Sequence, residues 1–145
     1  MVAHSWDALS GQDRDRLAAA QVARLATVRP DGTPHLVPIT FAFVDGALVT
    51  AVDGKPKRTT QLQRLRNIRA HPVVSVLVDS YAPDWSQLWW IRIDGPAEIV
   101  AAGPACTHAI GALVAKYPQY RAAAPDGPVI RVQPTRITSW RASGW

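Results

Sequence analysis

Lys55, Lys57 and Arg58 stand at the point where a Gly54–Pro56 turn feeds a run with Leu62, Leu65 and Ile68 at helical spacing. From Gly54 to Val78 there is no acidic residue, and Lys55, Lys57, Arg58, Arg64, Arg66 and Arg69 supply six of the sixteen cationic side chains. A helix start exposes unpaired N–H groups and the positive end of the dipole, so cations placed there are unfavourable by themselves. A bound anion relieves both, and the chemistry these residue types support is capture of a phosphate or carboxylate. Arg58, Leu62, Leu65 and Arg69 follow an i, i+4, i+7, i+11 series, which puts Arg58 on the core-facing stripe. Arg64 points away from that stripe and Arg66 lies toward its edge, as solvated charges would.

The elements that must position this anion site read mostly as strands. Residues 1–9 read as a loose lead-in. Ser10 followed by Asp13 reads as a helix start, with a short helix over 11–21. Val22 to Val28 alternates, with Ala23, Leu25 and Thr27 on one face, and Arg29-Pro30-Asp31-Gly32 is a turn. His35 to Val44 reads as a second strand interrupted by Pro38, which marks an edge, a bulge or a ligand beside the backbone. Asp45-Gly46 predicts a hairpin returning along 47–52. The basic helix ends near His71-Pro72. Val73 to Asp79 reads as a strand buried on both faces. Leu88 to Asp94 is a further strand that Gly95-Pro96 breaks before 97–100. A helix of small residues over 104–116 has Ile110, Leu113 and Val114 as its apolar side, and two last strand pieces lie at 129–132 and 137–140. Hairpin-linked strands with a few short helices predict a mainly β (α+β) fold, a small antiparallel barrel.

The length of 145 residues fits one domain, 1–145, with residues 1–21 as a helical lead-in. The net charge of +5 favours an anionic partner. Cys106 is the single cysteine, which excludes an intrachain disulfide and, with no long apolar run or signal core, predicts a cytoplasmic protein and no membrane partner. His4, His35, His71 and His108 lack metal-ligand spacing, Cys106 and His108 point apart on a helix, and no metal site is expected. No nucleophile elbow or general-base triad is present.

The ordered set Leu25-Ala26-Thr27-Val28, Asp31-Gly32, Gly54-Lys55-Pro56-Lys57-Arg58-Thr59, Asp84-Trp85 and Leu88-Trp89-Trp90 resembles the pyridoxamine 5′-phosphate oxidase-like split barrels, and within them the actinobacterial branch of F420-dependent (deazaflavin) oxidoreductases. The resemblance runs from about Val22 to Trp140. It implies a six-stranded antiparallel split β-barrel of the FMN-binding type and a homodimer with the cofactor, coenzyme F420 or alternatively FMN, at the interface. It also implies that Val37, Pro38 and Thr40 line the ring, that Thr50 supplies a hydroxyl, and that Lys55, Lys57 and Arg58 hold the phosphate. Trp89, Trp90 and Trp140 are implied candidates to close the ring site, with alternation letting one of Trp89 and Trp90 face the groove. The basic helix is longer between Arg58 and His71 than in many relatives, so no role is transferred to Arg64 and Arg66.

The implied activity is hydride transfer between the deazaflavin and a small electron-poor substrate, the cofactor supplying the chemistry and the protein binding and orientation. An FMN-dependent oxidase or reductase is the alternative within the fold; the tail Arg136-Ile137-Thr138-Ser139-Trp140-Arg141 lacks the Arg-Leu-x-Pro ending associated with pyridoxamine phosphate oxidation. A non-catalytic cofactor carrier or nucleic-acid binder is the alternative outside it. The absence of aromatic residues between Asp53 and Asp79 argues against stacking on single strands.

Overall fold

A computed structural model describes residues 1–52 and 58–142, with residues 58–62 described by their backbone. The chain runs β1 (Val2–Ala3), a 3-10 turn (Trp6–Ala8), α1 (Gly11–Ala19), β2 (Ala23–Val28), β3 (Pro34–Ile39), β4 (Ala42–Val44), β5 (Ala47–Ala51), α2 (Arg58–Ala70) and β6 (Val73–Ser80). A second 3-10 turn (Trp85–Gln87), β7 (Trp89–Val100), α3 (Pro104–Lys116), α4 (Gln119–Ala122), β8 (Val129–Val132) and β9 (Arg136–Arg141) complete it. All the strand pairings are antiparallel. The ladder follows β3-β2-β6-β7-β8-β5-β4, with β9 pairing β7 and β1 pairing β9. The sheet curls into an open, split barrel of nine described strands rather than six.

Three of the differences from the sequence expectation have clear causes. Gly95-Pro96 does not break β7. A Cβ on Gly95 would lie 2.0 Å from the Gln133 carbonyl oxygen, so the missing side chain lets β7 and the segment before β9 touch. Gln133 N–H donates to the Pro96 carbonyl (3.0 Å) and Thr135 N–H to the Asp94 carbonyl (2.9 Å). Through this corner one strand serves two ladders, pairing β6 and β9 before it and β8 after it.

The 34–44 run divides at Thr40-Phe41 and not at Pro38. Phe41 is fully buried, and its N–H donates to the Tyr117 hydroxyl (3.1 Å). That hydroxyl shares its proton between the Gln21 and Phe41 carbonyls (3.0 and 3.2 Å). Pro38 lies inside β3, which is an edge strand, where a missing N–H is tolerated.

The lead-in is not loose. Val2 and Ala3 pair with Thr138 and Ile137, and Ala3 and Leu9 are buried.

Elsewhere the periodicities hold. Ala23, Leu25 and Thr27 face inward, Ser10 Oγ accepts from Asp13 N–H (3.1 Å), and Asp45-Gly46 turns the β4–β5 hairpin with φ of 50° and 78°. β5 is buried along its whole length because it separates two cores. Leu48 faces the barrel interior with Leu25, Val76 and Ile93, while Val49 and Ala51 face α3. The buried side of α3 is Cys106, Ala109 and Leu113, continuing to Tyr117; Val114 is half-exposed. β6 buries Val74, Val76 and Val78 and leaves Val73 and Leu77 on an open face, so it is covered on one side.

Gly95→Ala is expected to destabilise the fold by about 3 kcal/mol or more, since a backbone carbonyl cannot yield to the new methyl as a side chain would. Urea unfolding measures it, and a midpoint equal to the parent's would contradict the corner as described.

Candidate functional site

β6, β7 and β9 lie side by side, so alternation lines up one outward residue from each. Trp90 is opposite Asp79 on one side and Trp140 on the other; Leu77 is opposite Arg92. These residues, with Tyr81, Leu88 and Trp89 at the rim, line an open cavity of about 300 Å³. The Arg92 guanidinium lies 5.7 Å from the Trp90 ring centroid, a cation–π arrangement, and its Nε donates to Asp94 Oδ2 (3.2 Å). Asp79 pairs with Arg24 at 3.0 Å. Both ion pairs are substantially exposed and hold side-chain orientation more than they stabilise. The arrangement offers flat aromatic surface with a cation at its edge, which suits a planar ring carrying electron-rich oxygens.

Trp89 turns to the other face, packing on the barrel core with the Arg16 guanidinium 5.5 Å from its ring, yet it still borders the cavity. Both neighbouring tryptophans therefore reach this cavity, although alternation alone admits one. Arg92, Leu77 and Asp79 were not singled out from sequence; the signal for Arg92 is its i+2 spacing from Trp90, which places it on the same face.

Val37, Pro38, Thr40 and Thr50 do not line this cavity within one chain. Val37 is buried in β3 opposite Leu25, and Pro38 is exposed on the outer side of the same strand. Thr40 is half-buried, with its hydroxyl 2.7 Å from the Tyr120 hydroxyl, so α4 holds it. Thr50 is buried in β5 opposite Ile130. Lys55 and Lys57 lie outside the described residues. Arg58 is the first residue of α2, the position that its anion-binding assignment requires of the backbone, while its side chain lies outside the description.

One turn further along, α2 departs from expectation. Leu65 and Ile68 are buried as anticipated, but Asn67 is completely buried, donating to Thr27 Oγ1 (2.9 Å) and accepting from Gln63 Nε2 (2.7 Å). Arg69 is exposed rather than core-facing. Arg64 is not a solvated charge: its Nε is buried without a hydrogen-bond partner, and burial lowers its pKa. His35, opposite Thr27 in the register, also has a buried, unpartnered Nδ1. Its pKa is lowered by desolvation first, then by Arg29 and Arg64. The helix therefore meets the β2–β3 hairpin through a polar layer with an excess of positive charge. Among the described residues no group of three potential metal ligands gathers, and no helix is long and apolar enough to cross a membrane.

A family model described as pyridoxamine 5′-phosphate oxidase matches residues 9–141. No match is found among curated proteins. Among solved structures, a conserved hypothetical protein from Mycobacterium tuberculosis is similar at a TM-score of 0.74 and 24% identity, over 92% of this chain and 85% of that one. A heme binding protein from Mycobacterium smegmatis is similar at 0.73 and 21% identity, over 94% of this chain and 56% of that one. A FAD-binding protein from Mesorhizobium loti is similar at 0.66 and 24% identity, over 99% of both chains. At these identities the likeness is one of fold.

The polar layer under α2 makes a pH prediction. His35 has a depressed pKa in the folded state, so below its ordinary value of 6.5 the unfolded chain takes up a proton that the folded chain resists. Its contribution to stability is full above that value and is lost as pH falls toward the folded pKa. Urea midpoints at pH 7.5 and 5.5 are expected to fall less in His35→Gln than in the parent; an equal fall in both would contradict the depressed pKa.

Proposed function

The chain belongs to the pyridoxamine 5′-phosphate oxidase family, and on that premise we propose that it binds a flavin-type cofactor, coenzyme F420 in particular, as a homodimer and serves in oxidation–reduction of a small molecule. The observation that carries this reading is the cavity edged by Trp90, Trp140 and Arg92. Its aromatic walls fit a tricyclic ring, and the guanidinium of Arg92 fits the ring's carbonyl or deprotonated edge. Flavin binding in a neighbour of the same fold supports the cofactor class. The choice of a deazaflavin rests on the resemblance carried by Gly54-Lys55-Pro56-Lys57-Arg58-Thr59 and Leu88-Trp89-Trp90.

In this reading Trp90 and Trp140 bind and orient the ring, and the neighbouring Leu77 and Leu88 exclude water from it. Lys55, Lys57 and Arg58 neutralise the phosphate, helped by the free N–H groups at the start of α2. When bound, the deazaflavin supplies hydride transfer. The outward side of β3, β2, β6, β7 and β9 bears Leu36, Val73, Leu77 and Trp140 at 67, 61, 36 and 42% exposure, and Tyr81 beyond β6 at 78%. So much apolar surface on one face supports its burial against a second copy. Such a dimer would also bring exposed residues of one protomer, Pro38 among them, toward the cavity of the other, whereas Val37 and Thr50 are buried within their own protomer.

The test is a titration of purified chain with F420, FMN, FAD and heme, following tryptophan quenching. F420 is expected to bind tightest, and Lys57→Ala or Arg58→Ala to weaken it by about 1–3 kcal/mol, the scale of a lost charge-assisted contact. Preference for FMN or FAD would replace the deazaflavin by a flavin, preference for heme would replace the redox role by binding, and unchanged affinity in both variants would remove the anion site.

The dimer has its own check. Leu77→Arg is expected to sediment as a monomer at concentrations where the parent is a dimer. A monomeric parent would overturn the assembly.

A further inference from the structure

Lys116, the last residue of α3, is the one lysine outside the basic run of residues 55–69. It follows Leu113 by three residues, so it continues the helix's buried side instead of pointing to water. Its Nζ lies 3.8 Å from the centroid of the Phe41 ring and 5.3 Å from that of Tyr117. Phe41 is fully buried, so the ammonium caps a core aromatic ring. Among the described residues the ion pairs are Arg16–Asp13, Arg24–Asp79, Arg92–Asp94 and Arg131–Glu98; none of them involves Lys116. Burial alone pushes its pKa down to about 8.

Beside this cation is a cavity of about 490 Å³ between α1, β4 and α3. Trp6 and Phe43 form one wall as a stacked pair, ring centroids 4.1 Å apart, and Leu17 of α1 forms another. Ala112 and Ala115 of α3 form a third wall, and their small side chains leave the volume open. It shares no lining residue with the Trp90–Trp140 cavity.

We infer that this cavity is a second small-molecule site, which takes an apolar monocarboxylate with its carboxylate against Lys116 and its hydrocarbon or ring body between Trp6, Phe43 and the α3 alanines. The volume is that of a small-ligand site. A half-buried ammonium without a counter-charge is an unfavourable arrangement that an anion corrects. Lys116 is the one cation among the described lining residues, with the Arg14 guanidinium 5.9 Å from the Trp6 ring centroid, and a single lining charge favours a carboxylate over a phosphate dianion.

The ionisable groups on the surrounding elements leave Lys116 as the titrating partner. On α1, Asp13 and Arg16 are paired at 3.0 Å, Arg14 donates to the Asp7 carbonyl (2.6 Å), and Asp15 is exposed. β4 carries no ionisable residue, and the Tyr117 hydroxyl is engaged by the Gln21 and Phe41 backbone, with its pKa raised by burial. Carboxylate affinity is therefore expected to fall as pH rises through about 8 and Lys116 loses its proton.

Calorimetry of the full chain with 4-phenylbutyrate and with the neutral 4-phenylbutanol tests the site. The acid is expected to bind at least tenfold tighter than the alcohol at pH 7, with the difference shrinking by pH 9.5. Lys116→Met is expected to abolish the difference while keeping or raising the urea midpoint, and Lys116→Arg to preserve it. Equal affinities for acid and alcohol, no binding of the acid at millimolar concentration, or an unchanged preference in Lys116→Met would each overturn the inference. Saturating F420 or FMN is expected to leave phenylbutyrate binding unaltered; displacement would show a shared site and overturn a second one. Failure of both cofactors to bind bears on the proposed function and leaves this comparison intact.

Discussion

The close approach of the Gln133 carbonyl to the bare Cα of Gly95 is the constraint on which the barrel rests. β7 is twelve residues long and is the strand shared by both ladders. A straight strand of that length would carry one flat sheet, with an open edge at each side. Bent at Gly95, its first half stays with β6 and β9 while its second half turns to β8, which leads on to β5 and β4. The corner thus sets the angle between the two parts of the sheet and gives the interior the depth to bury Leu25, Leu48, Val76 and Ile93 together. Pro96 also suits the site, since its carbonyl accepts from Gln133 N–H and the donor it lacks is not needed there.

The same corner fixes the candidate site. Because β6, β7 and β9 stay in one register before the bend, Trp90 is flanked by Asp79 and Trp140. The face they share is the side of the sheet that none of the described helices covers. α2 closes the barrel side through Leu65, Ile68 and Asn67, and α3 covers β4, β5 and β8. Helical cover on the other surfaces leaves the Leu77–Trp140 face as the place where apolar side chains meet water, so the proposed ring binding and the proposed self-association would draw on one surface.

Local chemistry was legible from sequence wherever a short-range rule decides the outcome. The alternation of Ala23, Leu25 and Thr27, the Ser10 cap, the Asp45-Gly46 hairpin and the helix over Pro104–Lys116 each depend on neighbours a few residues away. The errors share a different origin. Glycine followed by proline signals a break, yet at Gly95-Pro96 the deciding atom belongs to Gln133, far along the chain. Pro38 drew attention as an interruption, while the division at Thr40-Phe41 is imposed by Tyr117 and Tyr120 from beyond α3. In the site, Trp90 and Trp140 were legible as aromatic candidates, but their adjacency is a property of the β7–β9 register. Arg64 looked solvated because helical periodicity describes the helix alone and not the hairpin beside it.

Charge connects these observations. Arg24, Arg92 and Arg131 are held by carboxylates at the surface, where such pairs stabilise little but satisfy the ions, and Arg16 is held by the buried Asp13. Arg64 and Lys116 differ: each is drawn out of water by the element that carries it, and each has its pKa lowered by burial alone. Placing an uncompensated cation inside a fold is unfavourable, and apolar residues at both positions would stabilise these packing layers more simply. At Arg64 the same layer holds the unpartnered Nδ1 of His35 and receives further positive charge from Arg29, so it resists any additional cation. At Lys116 the charge instead borders open volume with aromatic walls. The excess of positive charge is therefore not spread as a uniform coat: at Lys116 it lies beside a space that an anion can enter, and there its unfavourable burial becomes binding free energy.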